Sequence, residues 1–169
     1  VAIGRNALAT QSDPSVSVAI GYAALTSNTS GFGNVGVGAS ALTANTTGNR
    51  NTAVGQETLE NSTTADYNTA IGFQAMYANS TGENNVAVGD LALDANTTAN
   101  DNTAVGRSAL GSNTTASANT AIGRLALYSN TTASHNNALG YYALYTNTTG
   151  TRNNAVGNYA LDANTTGNN

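Results

Sequence analysis

The densest chemistry-bearing signal in this chain is the Asn-x-Ser/Thr sequon, which occurs nine times. Eight copies begin at Asn28, Asn45, Asn79, Asn96, Asn113, Asn130, Asn147 and Asn164, and the ninth begins at Asn61. A sequon can accept an N-linked glycan, and a row of them would make a stripe of sugars on an exposed turn. Asn-Thr-Thr is also turn chemistry without any modification, because Asn tolerates the left-handed region and Thr hydroxyls bond nearby backbone. The structural reading is preferred. Other groups offer less. His135 is the only histidine and stands among variable residues, as a solvated side chain would. Asp90 and Asp94 are close in sequence, but paired-carboxylate catalysis needs a convergence that nothing else here supports. The serines have no recurring base partner. The run Gly31-Phe32-Gly33-Asn34-Val35-Gly36-Val37-Gly38 has the glycines of a phosphate loop but neither its Lys nor a following helix. The Gly-Gly-x-Gly-x-Asp pattern of calcium-binding repeats is absent. Without Cys there is no thiol nucleophile, disulfide or Cys-ligated zinc. The expectation is a non-enzymatic chain with no metal and no cofactor.

Composition narrows the classes further. Of the 169 residues, 30 are Ala, 26 Asn, 26 Thr and 18 Gly. Five Arg, no Lys and nine acidic residues give a net charge of −4, the wrong sign for a nucleic-acid footprint. No apolar run approaches the ~20 residues of a membrane helix, so no membrane span is expected. So much Gly, Asn and Thr would suit a disordered chain, yet 40% apolar content and only 8% charge argue for packing. The chain opens on Val1, as a processed product or a segment of something longer would.

What positions these residues is a repeat. The triplet Ala-Val/Ile-Gly recurs with its glycine at Gly4, Gly21, Gly38, Gly55, Gly72, Gly89, Gly106, Gly123, Gly140 and Gly157, every interval being 17 residues. Residues 1–169 thus form one repeat domain of ten units starting at 1, 18, 35, 52, 69, 86, 103, 120, 137 and 154. The consensus is (V/T)-A-(V/I)-G-x-x-A-L-x-x-N-T-T-(G/A)-x-x-N, as in Thr103 to Asn119. Column seven is Ala except for Thr58, and column eight is Leu except for Met76. Columns five, six, nine, fifteen and sixteen vary freely. Fixed columns that pack against the coils above and below, with free columns facing solvent, are what a solenoid requires.

Helical repeats are longer, about 34 residues or more, and a mid-repeat Gly costs a helix ~1 kcal/mol relative to Ala. The pattern predicts an all-β fold: a parallel β-solenoid, or β-roll, of ten 17-residue coils. Columns one to three read as one strand and columns six to nine as a second. Gly at column four reads as a structural bend with φ > 0. Columns eleven and seventeen become Asn ladders, with amides bonding from coil to coil. One coil cannot fold alone: ordering 17 residues costs about 17–34 kcal/mol, and burying one Leu and one Val returns about 3–6 kcal/mol. In the first unit Gln11, Asp13 and Pro14 replace the usual turn, which reads as a cap.

Columns two and three are adjacent and both apolar, as are seven and eight apart from Thr58. Neighbours in a strand face opposite ways, so one face lines the coil and the other needs cover. Two arrangements satisfy this: a wider single coil whose bends turn all four columns inward, or lateral association through the Val/Ile or Leu columns.

The recurring AIG/AVG triplet followed by xxAL, as in Val18-Ala19-Ile20-Gly21 and Thr120-Ala121-Ile122-Gly123, resembles the head repeats of YadA-like trimeric autotransporter adhesins, and similar repeats occur in phage tail fibres. The resemblance covers all ten repeats, although the unit here is longer and carries the extra N-T-T-G stretch. It implies a left-handed β-roll packed side by side into a homotrimer, located outside the cell or on its surface. It also implies a role in adhesion to host matrix, glycans or other surfaces. The exposed-column aromatics Tyr22, Phe73, Tyr141, Tyr142, Tyr145 and Tyr159 suit such contacts. Two alternatives stay open: a self-assembling extracellular filament stacked end to end, possible glycans included, and an ice-binding solenoid with a low-charge Thr array.

Overall fold

The computed structural model describes residues 1–11 and 16–168. The Asp13 and Pro14 of the expected cap lie outside that set. Ten short strands form one parallel sheet: β1 (Ala2–Ile3), β2 (Val18–Ile20), β3 (Val35–Val37), β4 (Thr52–Val54), β5 (Thr69–Ile71), β6 (Val86–Val88), β7 (Thr103–Val105), β8 (Thr120–Ile122), β9 (Asn137–Leu139) and β10 (Asn154–Val156). Their order in the sheet is their order in the chain, and each pairs with the residues one repeat later, as in Ala87↔Ala104. No helix occurs among the described residues. The chain is a β-solenoid of 17-residue coils.

Hydrogen bonds join the coils well beyond the strands. In the sixth coil the N–H of Gly89 donates back to Ile71 at 2.8 Å and that of Leu91 back to Phe73 at 2.9 Å. The N–H of Leu93 donates forward to Ala109 at 2.9 Å and that of Thr97 forward to Thr114 at 3.0 Å. Turns as well as strands are therefore held by the stack, which is how a coil too small for its own core stays ordered.

The second strand expected over columns six to nine does not form. Columns six and eight instead lie in the left-handed region in every coil; Leu91 and Leu93 have φ of 56° and 54°. In a strand, Ala92 and Leu93 would face opposite ways. The left-handed residue cancels that alternation, and both side chains are fully buried. Such a conformation costs an L-residue about 1–2 kcal/mol and is worst for β-branched side chains. Column eight accordingly holds nine Leu and one Met, and column six contains no Val, Ile or Thr.

The four apolar columns do not all turn inward. Ala at columns two and seven and Leu at column eight build one continuous core from Ala19 to Ala155. Column three points outward, with Ile20, Ile71 and Leu139 exposed. At the bend between them, Gly89 has φ +133°, and a Cβ there would stand 2.7 Å from the carbonyl carbon and 2.8 Å from the oxygen of Gly106. Neither the backbone angle nor the coil above leaves room for a side chain.

Candidate functional surfaces

The rest of the interior is filled by amides. In column seventeen, Oδ1 of Asn85 accepts from the backbone N–H of Asn102 at 3.0 Å and from its Nδ2 at 3.2 Å. In column eleven, Nδ2 of Asn96 donates to Oδ1 of Asn79 at 2.7 Å, and Nδ2 of Asn113 to Oδ1 of Asn96 at 3.2 Å. The two ladders share a rail, the column-fourteen carbonyl. The Ala99 oxygen accepts from Asn96 at 3.2 Å and from Asn85 at 2.8 Å, and Ala116 repeats this with Asn113 and Asn102. Buried amides are tolerated only when their donors and acceptors are met, and one coil's asparagines supply what the next requires. At Asn119 the Nδ2 has no partner.

The sequons fall on this ladder. Asn28, Asn45, Asn79, Asn96, Asn113, Asn130 and Asn147 are fully buried, and Asn164, in the last coil, is half-buried and makes the same pair of bonds. Asn61 stands one column earlier, on the surface, where its Nδ2 donates to the Tyr77 carbonyl at 3.0 Å. The residue in the ladder position of that coil is Ser62, whose Oγ has no partner and which leaves Oδ1 of Asn45 without one. Of the adjoining Thr columns, column twelve spends its hydroxyls between coils, as Thr46 does on the Thr63 carbonyl at 3.1 Å. Column thirteen, with Thr47, Thr64 and Thr81, is exposed.

Outside, two surfaces stand out. The first is the strand face. Columns one and three contain no charged residue in any coil, and Ile20, Ile71 and Ile122 stay 37%, 40% and 38% exposed. With coils about 4.8 Å apart, the aliphatic row runs roughly 43 Å. The second is an aromatic cluster over the last three coils. Tyr142 packs on Tyr141, Tyr145 and Tyr159 with centroids 4.4, 4.6 and 5.6 Å apart, and Tyr128 stacks on Tyr145 at 5.7 Å. Arg124 lies 5.6 Å from the Tyr141 ring, a cation–π contact. Arg50 makes the same kind of contact with Phe32 and Tyr67.

His135 is exposed at a left-handed surface position. Asp90 is exposed and accepts from the Phe73 N–H at 3.4 Å. Asp94 is half-buried, and that burial pushes its carboxyl above the ordinary value. Hydrogen bonds from Gln56 and Gln74 lower Glu57, while burial, with Glu57 nearby, raises Glu60. Strand β3 runs through the Gly31 to Gly38 segment. Among the described residues there is no pocket, no cluster of three or more His, Cys, Asp or Glu that could hold a metal, and no helix long and apolar enough to cross a membrane. Comparison of the chain with protein-family models, with characterised proteins and with solved structures finds no match.

Proposed function

We propose that this chain is a non-enzymatic structural or adhesive fibre segment of the cell surface or extracellular space, whose rods associate laterally, three to a unit, through the strand face. The observation that carries the reading is the uncharged aliphatic row of column three. Its length of about 43 Å and the roughly 7 Å between columns one and three give an uncharged strip of some 300 Å², aliphatic along column three and Val, Thr or Asn along column one. A continuous aliphatic row of this kind often marks an interaction site. The strip repeats at every coil, so the surface that matches it best is another copy in register. Closed rotational symmetry would let each Val or Ile meet its own equivalents and leave no open row. The resemblance of the AIG/AVG-xxAL repeat to trimeric adhesin heads supports the same arrangement.

The test is sedimentation of the purified chain over a range of concentrations, beside the variant Val88→Asp with Val105→Asp. Both side chains lie on the outward face and are half-buried in the single rod. The parent should sediment as a trimer, and the variant as a monomer of 16.9 kDa with unchanged circular dichroism. A parent that remains a compact, soluble monomer at every concentration would overturn lateral association.

A further inference from the structure

We infer that glycan attachment at the seven fully buried column-eleven sequons and formation of this rod exclude one another, and that Asn61, the exposed sequon asparagine, can carry a glycan in the folded chain. In sequon-directed transfer, Nδ2 of Asn forms a bond to the anomeric carbon of a sugar held on a lipid pyrophosphate. The C–O bond to the pyrophosphate breaks, the lipid pyrophosphate leaves with the bonding pair, and the amide loses one proton. One N–H remains on the product nitrogen. At Asn79, beside the break at Ser62, one hydrogen is used, on the Gly82 carbonyl at 3.0 Å. Where Asn follows Asn in column eleven both are already used: Nδ2 of Asn130 donates to Oδ1 of Asn113 at 3.0 Å and to the Ala133 carbonyl at 2.9 Å. The side chain is fully buried, between coils about 4.8 Å apart. A saccharide there removes one ladder bond and has to occupy the place of the adjoining coil.

Asn61 differs on both counts. It is exposed, and its Nδ2 makes a single bond, to the Tyr77 carbonyl at 3.0 Å, so the other hydrogen can be replaced without breaking it. The shift of one position that sets Asn61 outside also places Ser62 in the ladder. This inference stands apart from lateral association, because it depends on the interior of one rod.

The experiment secretes the chain from a eukaryotic cell, whose oligosaccharyltransferase meets it before it folds, and maps glycopeptides in the soluble and insoluble fractions. A second chain has the third residue of each ladder sequon (Ser30, Thr47 and their column-thirteen equivalents) replaced by Ala, changes confined to exposed side chains. A third adds Asn61→Gln. All three are also made in a bacterial cytoplasm, without the transferase, to establish that the substitutions leave the circular dichroism unchanged. The expected result is that glycans on the seven fully buried asparagines occur only on insoluble material, and that the second chain is soluble with one glycan, on Asn61, which the third lacks. A glycan on any of the seven fully buried asparagines in soluble, folded rod would overturn the exclusion. A second chain that is unmodified at Asn61, or that folds in bacteria but not when Asn61 is glycosylated, would overturn the role given to Asn61.

Discussion

The break in the column-eleven ladder at Ser62 sets up a quantitative test of how much each rung stabilises the stack. The backbone there is that of its neighbours: the N–H of Ser62 donates to Leu59 at 3.2 Å, as Asn45 does to Leu42 at 3.1 Å and Asn79 to Met76 at 3.2 Å. Ser62→Asn should therefore place its amide in line with the ladder. Its Nδ2 would reach the orphaned Oδ1 of Asn45 and the Ala65 carbonyl, and its Oδ1 would accept from Asn79, whose Nδ2 now donates to Gly82 alone within the ladder, at 3.0 Å. Three hydrogen bonds at a net ~0.5–1.5 kcal/mol each give about 1.5–4.5 kcal/mol, less a fraction for fixing the side chain. For a chain of this length that is a rise in Tm of roughly 5–15 °C. The control is Ser62→Ala. The Ser62 hydroxyl is buried without a partner, so removing it should be neutral or slightly stabilising. Thermal and urea unfolding by circular dichroism measures both, and amide hydrogen exchange at positions 45 to 79 locates the effect. A Ser62→Asn variant no more stable than the parent, or a Ser62→Ala variant that loses more than about 1 kcal/mol, would refute the rung-by-rung reasoning.

Gly89→Val should prevent folding or lower stability by well over ~1 kcal/mol, because φ is +133° and the Gly106 carbonyl occupies the space; an unchanged melting temperature would remove the bend role of the column. Leu93→Ile conserves volume and in an ordinary core would cost under about 1.5 kcal/mol. At φ 54° a β-branched residue adds roughly 1–2 kcal/mol, so a denaturation midpoint close to the parent's would contradict the left-handed assignment. Burial holds the folded-state pKa of Asp94 above its ordinary 3.8. Folding then favours the protonated acid, so Asp94 contributes stability at lower pH and loses it as pH rises through the folded value. Asp94→Asn should raise Tm at pH 7 and leave it nearly unchanged at pH 3, and the reverse pattern in a pH series of melts would show the sign to be wrong.

The 17-residue period was legible in the residues themselves, and with it the parallel register, the all-β class and the amide ladders. In an in-register stack every residue touches its own column, so a fixed column is already a statement about contact. The sequence also held the signal for the left-handed positions, in the absence of Val, Ile and Thr from columns six and eight, but the apolar pair Ala-Leu reads equally well as a strand. Which apolar columns face inward was decided only by the tertiary structure. Ala-Val-Gly and Ala-Leu are both apolar pairs; the first keeps strand alternation and turns Val88 outward, and the second loses it at φ 54° and buries Leu93. The choice depends on a backbone angle that costs energy locally and is held by bonds to the coils on either side, such as that from Leu93 to Ala109. The sequons divide for the same reason. Asn61 and Asn79 carry the same motif, and a one-residue offset relative to the neighbouring coils puts one amide in solvent and the other in the core.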